Sequence, residues 1–389
     1  MPSSTRAGRW VRQQRGPEGF AAFIPAALPP KPPLVFTPEL VRLSDAAGRA
    51  LGRLEGVSAS LDPDRLLYMY IRKEAVLSSS IEGTQSTLSD LLRYETDAAA
   101  GTPLDDVREV SRYVAALQHG IQRIRSGRLP LSLRLIREIH GVLMQNGERG
   151  GKRGPGEFRR TQNWIGGTRP GNARFVPPPP PEMREALDNL ERFLHDEYGS
   201  TPPVVKAALA HAQFETIHPF LDGNGRVGRL LISLILVVDG VLSQPFLYLS
   251  LYLRENRADY YDALQRIRTN GDWEGWLRFY LIGVEAVANQ AAATTRALLD
   301  LYEQDRAQLQ TLGKAAGNTL AVYDILRRRI VVSAPKAAEE AGVTWPTANA
   351  ALQRLAQLGI VAETSGRRRD RLYTYTRQLE ILDRGTNGR

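Results

Sequence analysis

Residues 218–229 place an imidazole, a carboxylate, three glycines and two arginines within twelve positions, in the order His-Pro-Phe-Leu-Asp-Gly-Asn-Gly-Arg-Val-Gly-Arg. The proline cannot continue a preceding helix, and Gly223 and Gly225 permit backbone angles that are closed to other residues, so a tight turn is predicted. A new helix is expected to begin near Asn224. Its first amide groups have no partner within the helix and its dipole is positive there, which favours the binding of phosphate oxygens.

The charged side chains of this string strengthen the prediction of a phosphate site. Arg226 and Arg229 are three residues apart, so they project from the same side of the new helix and can brace a polyphosphate. Asp222 would repel phosphate unless a cation lay between them, which indicates a magnesium ion. A histidine can titrate near neutral pH, so His218 suits a base that accepts a proton from a hydroxyl. A solvated corner between two helices is the alternative for a lone Gly-Asn-Gly turn, and the added charged residues favour the phosphate site.

This string resembles, without departure, the signature of the Fic family, whose members transfer AMP from ATP to a protein hydroxyl. The resemblance implies an all-α Fic fold, with His218 as the general base for a Ser, Thr or Tyr hydroxyl and Asp222 as the ligand of Mg²⁺. It implies that attack at the α-phosphorus expels pyrophosphate, driven by positioning and charge neutralisation. Arg229 would reach the γ-phosphate. The residues that it assigns to ATP binding in this string are Gly223, Asn224, Gly225, Arg226, Gly228 and Arg229.

Residues 157–177 are the exception to the helical pattern, because two short extended segments surround a Gly/Pro turn and predict a small β-hairpin. The part from 161 to 167 resembles the flap of the Fic family, whose backbone aligns the target segment as an added strand. The residues that would dock the target are Trp164, Ile165 and Gly166. A simple hairpin without a docking role is the alternative.

Tyr260 and Tyr261 follow Asn-Arg-Ala-Asp on a predicted helix. The pair resembles the tyrosines that line the adenine pocket in the Fic family, and the resemblance adds both residues to the ATP-binding set. A tyrosine pair on a helix is usually part of a core. Both interpretations therefore stay open at this point.

Ser78, Glu82 and Gly83 lie at the predicted end of a helix that runs from about residue 63 to residue 81. A carboxylate in a last turn is disfavoured by the helix dipole by roughly 0.3–1 kcal/mol, so a basic partner is expected. Arg229 is the candidate, since it needs an anion whenever ATP is absent. The segment also resembles the inhibitory helix motif of the Fic family, which implies that Glu82 restrains the enzyme in cis by pairing with Arg229.

The pattern along the chain predicts three units: 1–104, 105–312 and 313–389. The first unit has a proline-rich strip at 24–36, which must be extended. A helix is predicted to follow from Thr37 to about Leu54, with Pro38 just inside its start, and the inhibitory helix comes next. The second is the catalytic core with its trailing helices. Helical spacing of apolar residues predicts its helices at about 105–126, 131–146, 182–196, 203–217, 224–239, 255–269 and 273–312.

The third unit is predicted to be a winged helix-turn-helix, because three short helices precede a strand, a basic turn and a second strand. Its thirteen basic and seven acidic residues between 310 and 389 give a charge of +6. DNA contact is the functional interpretation, and a protein-docking or dimerisation module is the alternative. The residues that would face DNA are Trp345, Asn349 and Gln353 on the helix after Thr344, and Arg367, Arg368, Arg369 and Arg371 on the wing.

The composition excludes several other classes of protein. The 389 residues contain no cysteine, so disulfides, thiolate metal sites and a cysteine nucleophile are excluded, and the expected compartment is the cytoplasm. The longest apolar run, residues 230–238, is too short to span a bilayer, and no membrane partner is expected. The net charge is +9.

The leading hypothesis is an autoinhibited AMP transferase with ATP and a target protein as partners. Self-modification, DNA binding by residues 313–389 and a homodimer are open possibilities. An ATP-sensing transcription regulator is the alternative from another class, and removal of AMP is the alternative reaction. The intact His218 favours an enzyme, because sensing a ligand requires no base.

Overall fold

The computed structural model of the chain is dominated by helices and has two small sheets. It describes residues 5–13, 19–60, 63–96, 104–127, 130–145, 154–195, 201–367 and 371–384. Within these stretches, no helix is both long enough and apolar enough to cross a bilayer. The prediction of a helical fold with small β elements is confirmed.

Eleven helices form the first three quarters of the described chain. They agree with the predicted helices to within a few residues, and two short ones, α3 and α9, were not predicted. Their bounds are α1 Pro38–Ser58, α2 Pro63–Ile81, α3 Leu88–Thr96, α4 Leu104–Arg125, α5 Leu133–Met144, α6 Pro180–Leu194, α7 Pro203–Ile217, α8 Asn224–Val238, α9 Ser250–Glu255, α10 Arg257–Asn270 and α11 Trp273–Gln310.

The centre of the core is the helix pair α7 and α8. All residues from Val204 to Ile217 except Lys206 are buried, because neighbouring helices cover α7 on every side. The apolar run that follows Arg229 is buried along α8 from Leu230 to Leu236, and Val238 at its end is exposed. The turn between these two helices is residues 218–223, so the predicted phosphate site is positioned by two largely buried helices.

A short antiparallel hairpin precedes α1, and the sequence analysis missed it. Its strands are β1 Gly8–Arg12 and β2 Ala21–Pro25, with Gly8 opposite Pro25 and Arg12 opposite Ala21. The proline-rich strip 24–36 continues from β2 without helical structure. It lies against the core, where Nε2 of Gln213 on α7 donates to the carbonyl of Ala26 at 2.7 Å.

The C-terminal part has the predicted winged helix-turn-helix topology. Its elements are α12 Ala316–Arg329, β3 Val331–Ser333, α13 Ala334–Ala341, α14 Trp345–Gln357, β4 Ala362–Glu363, β5 Leu372–Thr374 and α15 Thr376–Asp383. The sheet order is β3-β5-β4, so an additional strand, β3, pairs with β5, which is the central strand. Ser333 caps α13 by accepting from the amide of Lys336, and Gly342 ends it with φ of +65°. Arg368 and Arg369 of the predicted wing lie outside the described residues.

Candidate active site

His218 occupies the turn between α7 and α8 in a left-handed backbone conformation, with φ of 49° and ψ of 59°. This conformation is uncommon for a residue other than glycine, so the surroundings must hold it. The amide of His218 donates to the carbonyl of Phe214 at 2.9 Å. Its carbonyl accepts from Nε of Arg159 at 3.0 Å and from Nδ2 of Asn163 at 3.3 Å. The backbone of the predicted base is therefore fixed from both sides.

The imidazole of His218 is neutral at ordinary pH. Burial lowers the pKa of His218 to about 4, and the charges of Arg268 and Arg159 act in the same direction. Its Nδ1 is buried, and a hydrogen bond to the backbone of Glu215 acts on the pKa of His218 in the opposite direction. A neutral imidazole has one unprotonated ring nitrogen, which can accept a proton from a hydroxyl.

Phe220 and Asn224 hold the loop that follows His218. The Phe220 ring is fully buried and stacks on the His140 ring with their centroids 3.7 Å apart. The amide of Phe220 donates to Oδ1 of Asn224, and Nδ2 of Asn224 donates to the carbonyl of Phe220, both at 2.8 Å. The side chain of Asn224 is thus used inside the loop, so any contact that Asn224 makes with phosphate must come from its backbone amide.

The N-terminus of α8 is the expected seat for an anion. Gly223 precedes it with φ of 77°, and no side chain caps the helix. The carboxylate of Glu82 lies directly against this turn, where a Cβ atom at Gly225 would overlap Oε1 of Glu82. An anionic group therefore already occupies the position where the helix dipole and the free amides favour negative charge.

Ser78, Glu82 and Arg229 are brought together by the packing of α2 against α8. Nη2 of Arg229 donates to Oε1 of Glu82 at 2.8 Å and to the carbonyl of Ser78 at 2.9 Å, and its Nε donates to Oγ of Ser78 at 2.8 Å. Gly83 follows with φ of 105°, a conformation that favours glycine. The guanidinium of Arg229 thus donates hydrogen bonds to a carboxylate, a hydroxyl and a carbonyl at the end of α2.

The electrostatics of this pair favour both charged forms. Burial would raise the pKa of Glu82, but the charge and hydrogen bond of Arg229 outweigh it and hold that pKa below its ordinary value. Burial opposes the charge of Arg229, and the facing Glu82 carboxylate outweighs it and raises the pKa of Arg229. The side chain of Arg229 is 2% exposed and that of Glu82 is 37% exposed, so water reaches the pair from the carboxylate side.

Arg226 faces a different carboxylate, which sequence reasoning missed. Its Nη1 lies 2.5 Å from Oε1 of Glu109 on α4, and its Nη2 lies 3.7 Å from Sδ of Met144. Both predicted phosphate-binding arginines therefore have a carboxylate partner, Glu109 for Arg226 and Glu82 for Arg229. Glu109 and Arg226 are 117 residues apart, and no local pattern in the sequence marks Glu109 as a partner.

Asp222 lies beside the open turn and suits a magnesium ion. Its Oδ1 accepts from the amide of Gly223 at 2.7 Å and lies 3.9 Å from Nη2 of Arg226. Among the described residues no group of three or more His, Cys, Asp or Glu side chains could hold a metal by itself. Magnesium is usually bound by one or two carboxylates together with substrate phosphates and water, and a single carboxylate next to a phosphate seat fits that pattern.

Two residues of the predicted ATP-binding set are core residues in this structure. Gly228 packs α8 against α7, since a Cβ there would reach Oε1 of Glu215 at 2.5 Å, and its carbonyl pairs with Nδ1 of His211 at 2.9 Å. Tyr260 is 1% exposed and its hydroxyl pairs with Nε2 of His211 at 2.9 Å. Both face the core because α7, α8 and α10 pack closely. Tyr261, beside Tyr260, is half-buried and is the better candidate for an adenine contact.

The predicted flap lies next to the turn that contains His218. Ile165 and Phe175 form one antiparallel bridge with hydrogen bonds of 2.8 and 3.1 Å, so the hairpin is a single pair rather than a longer ladder. Gly166 turns the chain with φ of 70°, and the side chain of Trp164 is 40% exposed. Asn163 ties the flap to the turn by donating to the carbonyl of Phe220 at 3.0 Å.

Comparison with known proteins assigns a family to this fold and this arrangement of residues. The N-terminal region of the Fic/DOC family matches residues 41–122, and the Fic/DOC family domain matches residues 130–236. The chain is a Fic/DOC family protein, distantly related to the Fic protein adenylyltransferases. Both matched regions contain candidate site residues, the first Glu82 and the second His218.

The relatives are similar over part of their length. The protein adenylyltransferase Fic of Drosophila sechellia is 32% identical over 231 residues, which are 58% of this chain and 40% of that protein. The Drosophila grimshawi protein of the same name is 32% identical over 265 residues, 67% of this chain and 49% of its own length. The chain thus spans less than half of the length of these relatives.

Two solved structures share the fold. A Fic family protein from Desulfovibrio desulfuricans G20 has a TM-score of 0.58 and 22% sequence identity, covering 88% of this chain and 97% of its own. Fic-1 from C. elegans, residues 134–508, has a TM-score of 0.51 and 23% identity, covering 67% of this chain and 75% of its own. At these identities the likeness concerns the fold.

Proposed function

We propose that this chain is a protein adenylyltransferase that moves AMP from ATP to a Ser, Thr or Tyr hydroxyl of a target protein. The observation that supports this most is the arrangement at the start of α8. A neutral imidazole at His218 precedes an uncapped helix N-terminus, and Arg226 and Arg229 extend from its first two turns. A base, an anion seat and cationic side chains are the groups that nucleotidyl transfer requires.

In the reaction that we propose, the target hydroxyl oxygen attacks the α-phosphorus of ATP. The hydroxyl proton passes to the unprotonated ring nitrogen of His218, and the bond from the α-phosphorus to its bridging oxygen breaks, so that pyrophosphate leaves with that electron pair. The amides at the start of α8 and the guanidinium of Arg226 stabilise the negative charge of the phosphates. The phosphates also raise the pKa of His218 toward its ordinary value, because negative charge favours the imidazolium.

Asp222 would hold Mg²⁺ against the phosphates. When bound, the ion neutralises phosphate charge and helps pyrophosphate to leave. The amide of Gly223 already orients the Asp222 carboxylate through a 2.7 Å hydrogen bond. The part that the chain itself plays is therefore to fix one carboxylate beside the turn.

We further propose that Glu82 restrains the enzyme in cis. Its carboxylate lies over Gly225 and engages Arg229, the arginine that would otherwise reach the γ-phosphate. A γ-phosphate and the Glu82 carboxylate are both anions, so they compete for Arg229. ATP seated without Arg229 would be misaligned for in-line attack, which lowers the rate even when ATP binds.

The flap supports a polypeptide as the acceptor. Its bridge residue Ile165 ends an exposed segment that carries Trp164, and the segment is tied to the His218 turn by Asn163. An extended peptide added beside this segment would present its hydroxyl near the base. The chain itself is one candidate target, and a second protein is the other.

The test uses the purified chain with Mg²⁺ and ATP labelled at the α-phosphate. Wild type, Glu82→Gly and His218→Ala are compared, and label on protein is measured with the chain itself and with a cell lysate as acceptors. We expect label to rise in Glu82→Gly and to be absent in His218→Ala. ATP labelled at the γ-phosphate should give none. If all three proteins bind ATP by calorimetry and none transfers label, an ATP-sensing regulator is the better conclusion.

A further inference from the structure

The outer face of α14 is uncovered in the described part of the chain. Its inner face packs Ala348, Leu352 and Leu355 against α12 and α13. The opposite face exposes Trp345, which is 54% accessible and one of the few exposed large apolar side chains, together with Gln353. In a helix-turn-helix this is the face of the second helix that points away from the domain.

The surroundings of this face are basic and lack free carboxylates among the described residues. Residues 341–362 contain no acidic side chain. A groove along α14 is lined by Lys314, Asn318, Pro346, Thr347 and Arg354. The nearest acidic residues upstream, Glu339 and Glu340, pair with Lys336 and Arg329. The positive charge along α14 is therefore not neutralised within the described domain.

The wing adds further positive charge at a defined place. Glu363 of β4 accepts from the amides of Ser365 and Gly366, at 2.7 and 3.0 Å, and so uses its own charge to hold the turn. Arg367 and Arg371 flank the tip, and Nε of Arg371 donates to the carbonyl of Arg367 at 3.1 Å. Arg367 and Arg371 therefore place two positive charges on the wing, next to a turn that Glu363 stabilises.

We propose that the C-terminal unit binds double-stranded DNA, with α14 in the major groove. Asn349 and Gln353, four residues apart on the outer face, would contact base edges, because amide side chains pair with adenine there. The cations that would contact phosphates are Lys314, Arg354, Arg367 and Arg371. This proposal is independent of AMP transfer.

The test is fluorescence anisotropy of a labelled duplex of about 25 base pairs, two or more turns, titrated with the full chain at several salt concentrations. Four phosphate contacts predict a slope of about −4 for log affinity against log salt. Lys314→Ala/Arg354→Ala should reduce the slope by about 2, whereas the exposed pair Arg134→Ala/Arg160→Ala should leave it unchanged. No binding, or equal binding by both double variants, overturns the proposal and leaves the α14 face to a protein partner.

The C-terminal unit also forms hydrogen bonds with α2, the helix that directly precedes Glu82. Nε2 of Gln378 on α15 donates to Sδ of Met69 on α2 at 3.0 Å and to the carbonyl of Arg327 at 3.1 Å. Nζ of Lys73, on the same helix, donates to the carbonyl of Arg384 at 2.8 Å. Residue 384 directly follows α15, so the end of the winged unit is bonded to α2.

Loss of the hydrogen bond between Lys73 and Arg384 would leave a buried ammonium without this acceptor. Lys73 is fully buried, its ammonium lies 4.4 Å from the centre of the Tyr248 ring, and burial lowers the pKa of Lys73 to about 8. A buried ammonium requires hydrogen-bond acceptors. Eight residues of helix, about 12 Å, separate Lys73 from Ile81, which directly precedes Glu82, so a shift of α2 at one end moves the other.

We infer that the C-terminal unit regulates the alignment of bound ATP by fixing α2, and this inference rests on the proposed restraint by Glu82. The variants are Gln378→Ala and Lys73→Gln, each made in wild type and in Glu82→Gly. We expect two- to tenfold more label in wild type and no change in Glu82→Gly, since the restraint is already absent there. A variant that merely damages the fold would lower label in both backgrounds.

Hydrogen exchange of residues 76–83 provides a readout that does not depend on catalysis. Gln378→Ala should speed exchange at this end of α2, whereas Arg354→Ala, on the outer side of the winged unit, should not. Unchanged exchange together with unchanged label in the wild-type background overturns the inference. If Glu82→Gly carries no label at all, the proposed function fails, and the exchange data alone decide whether the winged unit fixes α2.

Discussion

Replacing Glu82 by glycine is the most direct way to test how the site is restrained. The lost contact is the 2.8 Å hydrogen bond between oppositely charged groups, Glu82 and Arg229. Such bonds contribute about 1.5–3 kcal/mol when shielded. The Glu82 side chain is 37% exposed, and exposed pairs contribute only about 0.2–1 kcal/mol. A value of about 1–2 kcal/mol therefore applies, which corresponds to a roughly 5- to 30-fold gain in the fraction of molecules with Arg229 free.

The assay is the initial rate of α-phosphate label transfer at saturating ATP, and Glu82→Gly is the derepressed variant. Glu82→Gln should give an intermediate rate, since it removes the charge and keeps an acceptor for Arg229. Glu39→Gln, which breaks the exposed 2.6 Å pair with Arg278, is the matched control and should not change the rate. A derepressed variant that remains folded, binds ATP and transfers no faster than wild type would refute the reasoning.

Three further predictions concern the same region. Because the pKa of His218 is lowered from 6.5 to about 4, the imidazole stays neutral in mildly acidic solution. The kcat/KM of the derepressed variant should therefore fall only as the pH drops through a midpoint below 6.5. A midpoint above 7 would contradict the assignment of His218 as the base. Gly228→Ala should lower the free energy of unfolding by about 1–3 kcal/mol in a denaturant titration, because the added Cβ would overlap Oε1 of Glu215. An unchanged denaturant midpoint would argue against close packing of α8 on α7. Glu109→Gln in the derepressed variant should tighten ATP binding about two- to fivefold, because it removes a carboxylate that competes with phosphate for Arg226. Calorimetry measures this affinity. Weaker binding would instead show that Glu109 positions Arg226.

Much of the fold follows from signals that act within a few residues. Thr37 and Pro38 start α1 where the sequence predicts, because a threonine cap and a proline in the first turn are local effects. The same holds for the start of α8 after Gly223. The hairpin of β1 and β2 was not predicted, because neither of its five-residue strands shows the alternation of apolar and polar residues that indicates a strand.

The candidate site divides in the same way. The twelve residues from 218 to 229 determine by themselves the turn and the helix start at Asn224, since turn chemistry and capping depend on neighbouring residues. The left-handed backbone of His218 was not predicted, because Arg159 and Asn163, which lie outside this string, hold it. Only the tertiary structure decides that Arg226 meets Glu109, that Tyr260 is enclosed by the core and that α15 reaches Lys73. Spacing along a helix indicates which side of it is buried, but the side chain that lies opposite depends on how whole helices pack across more than a hundred residues of chain.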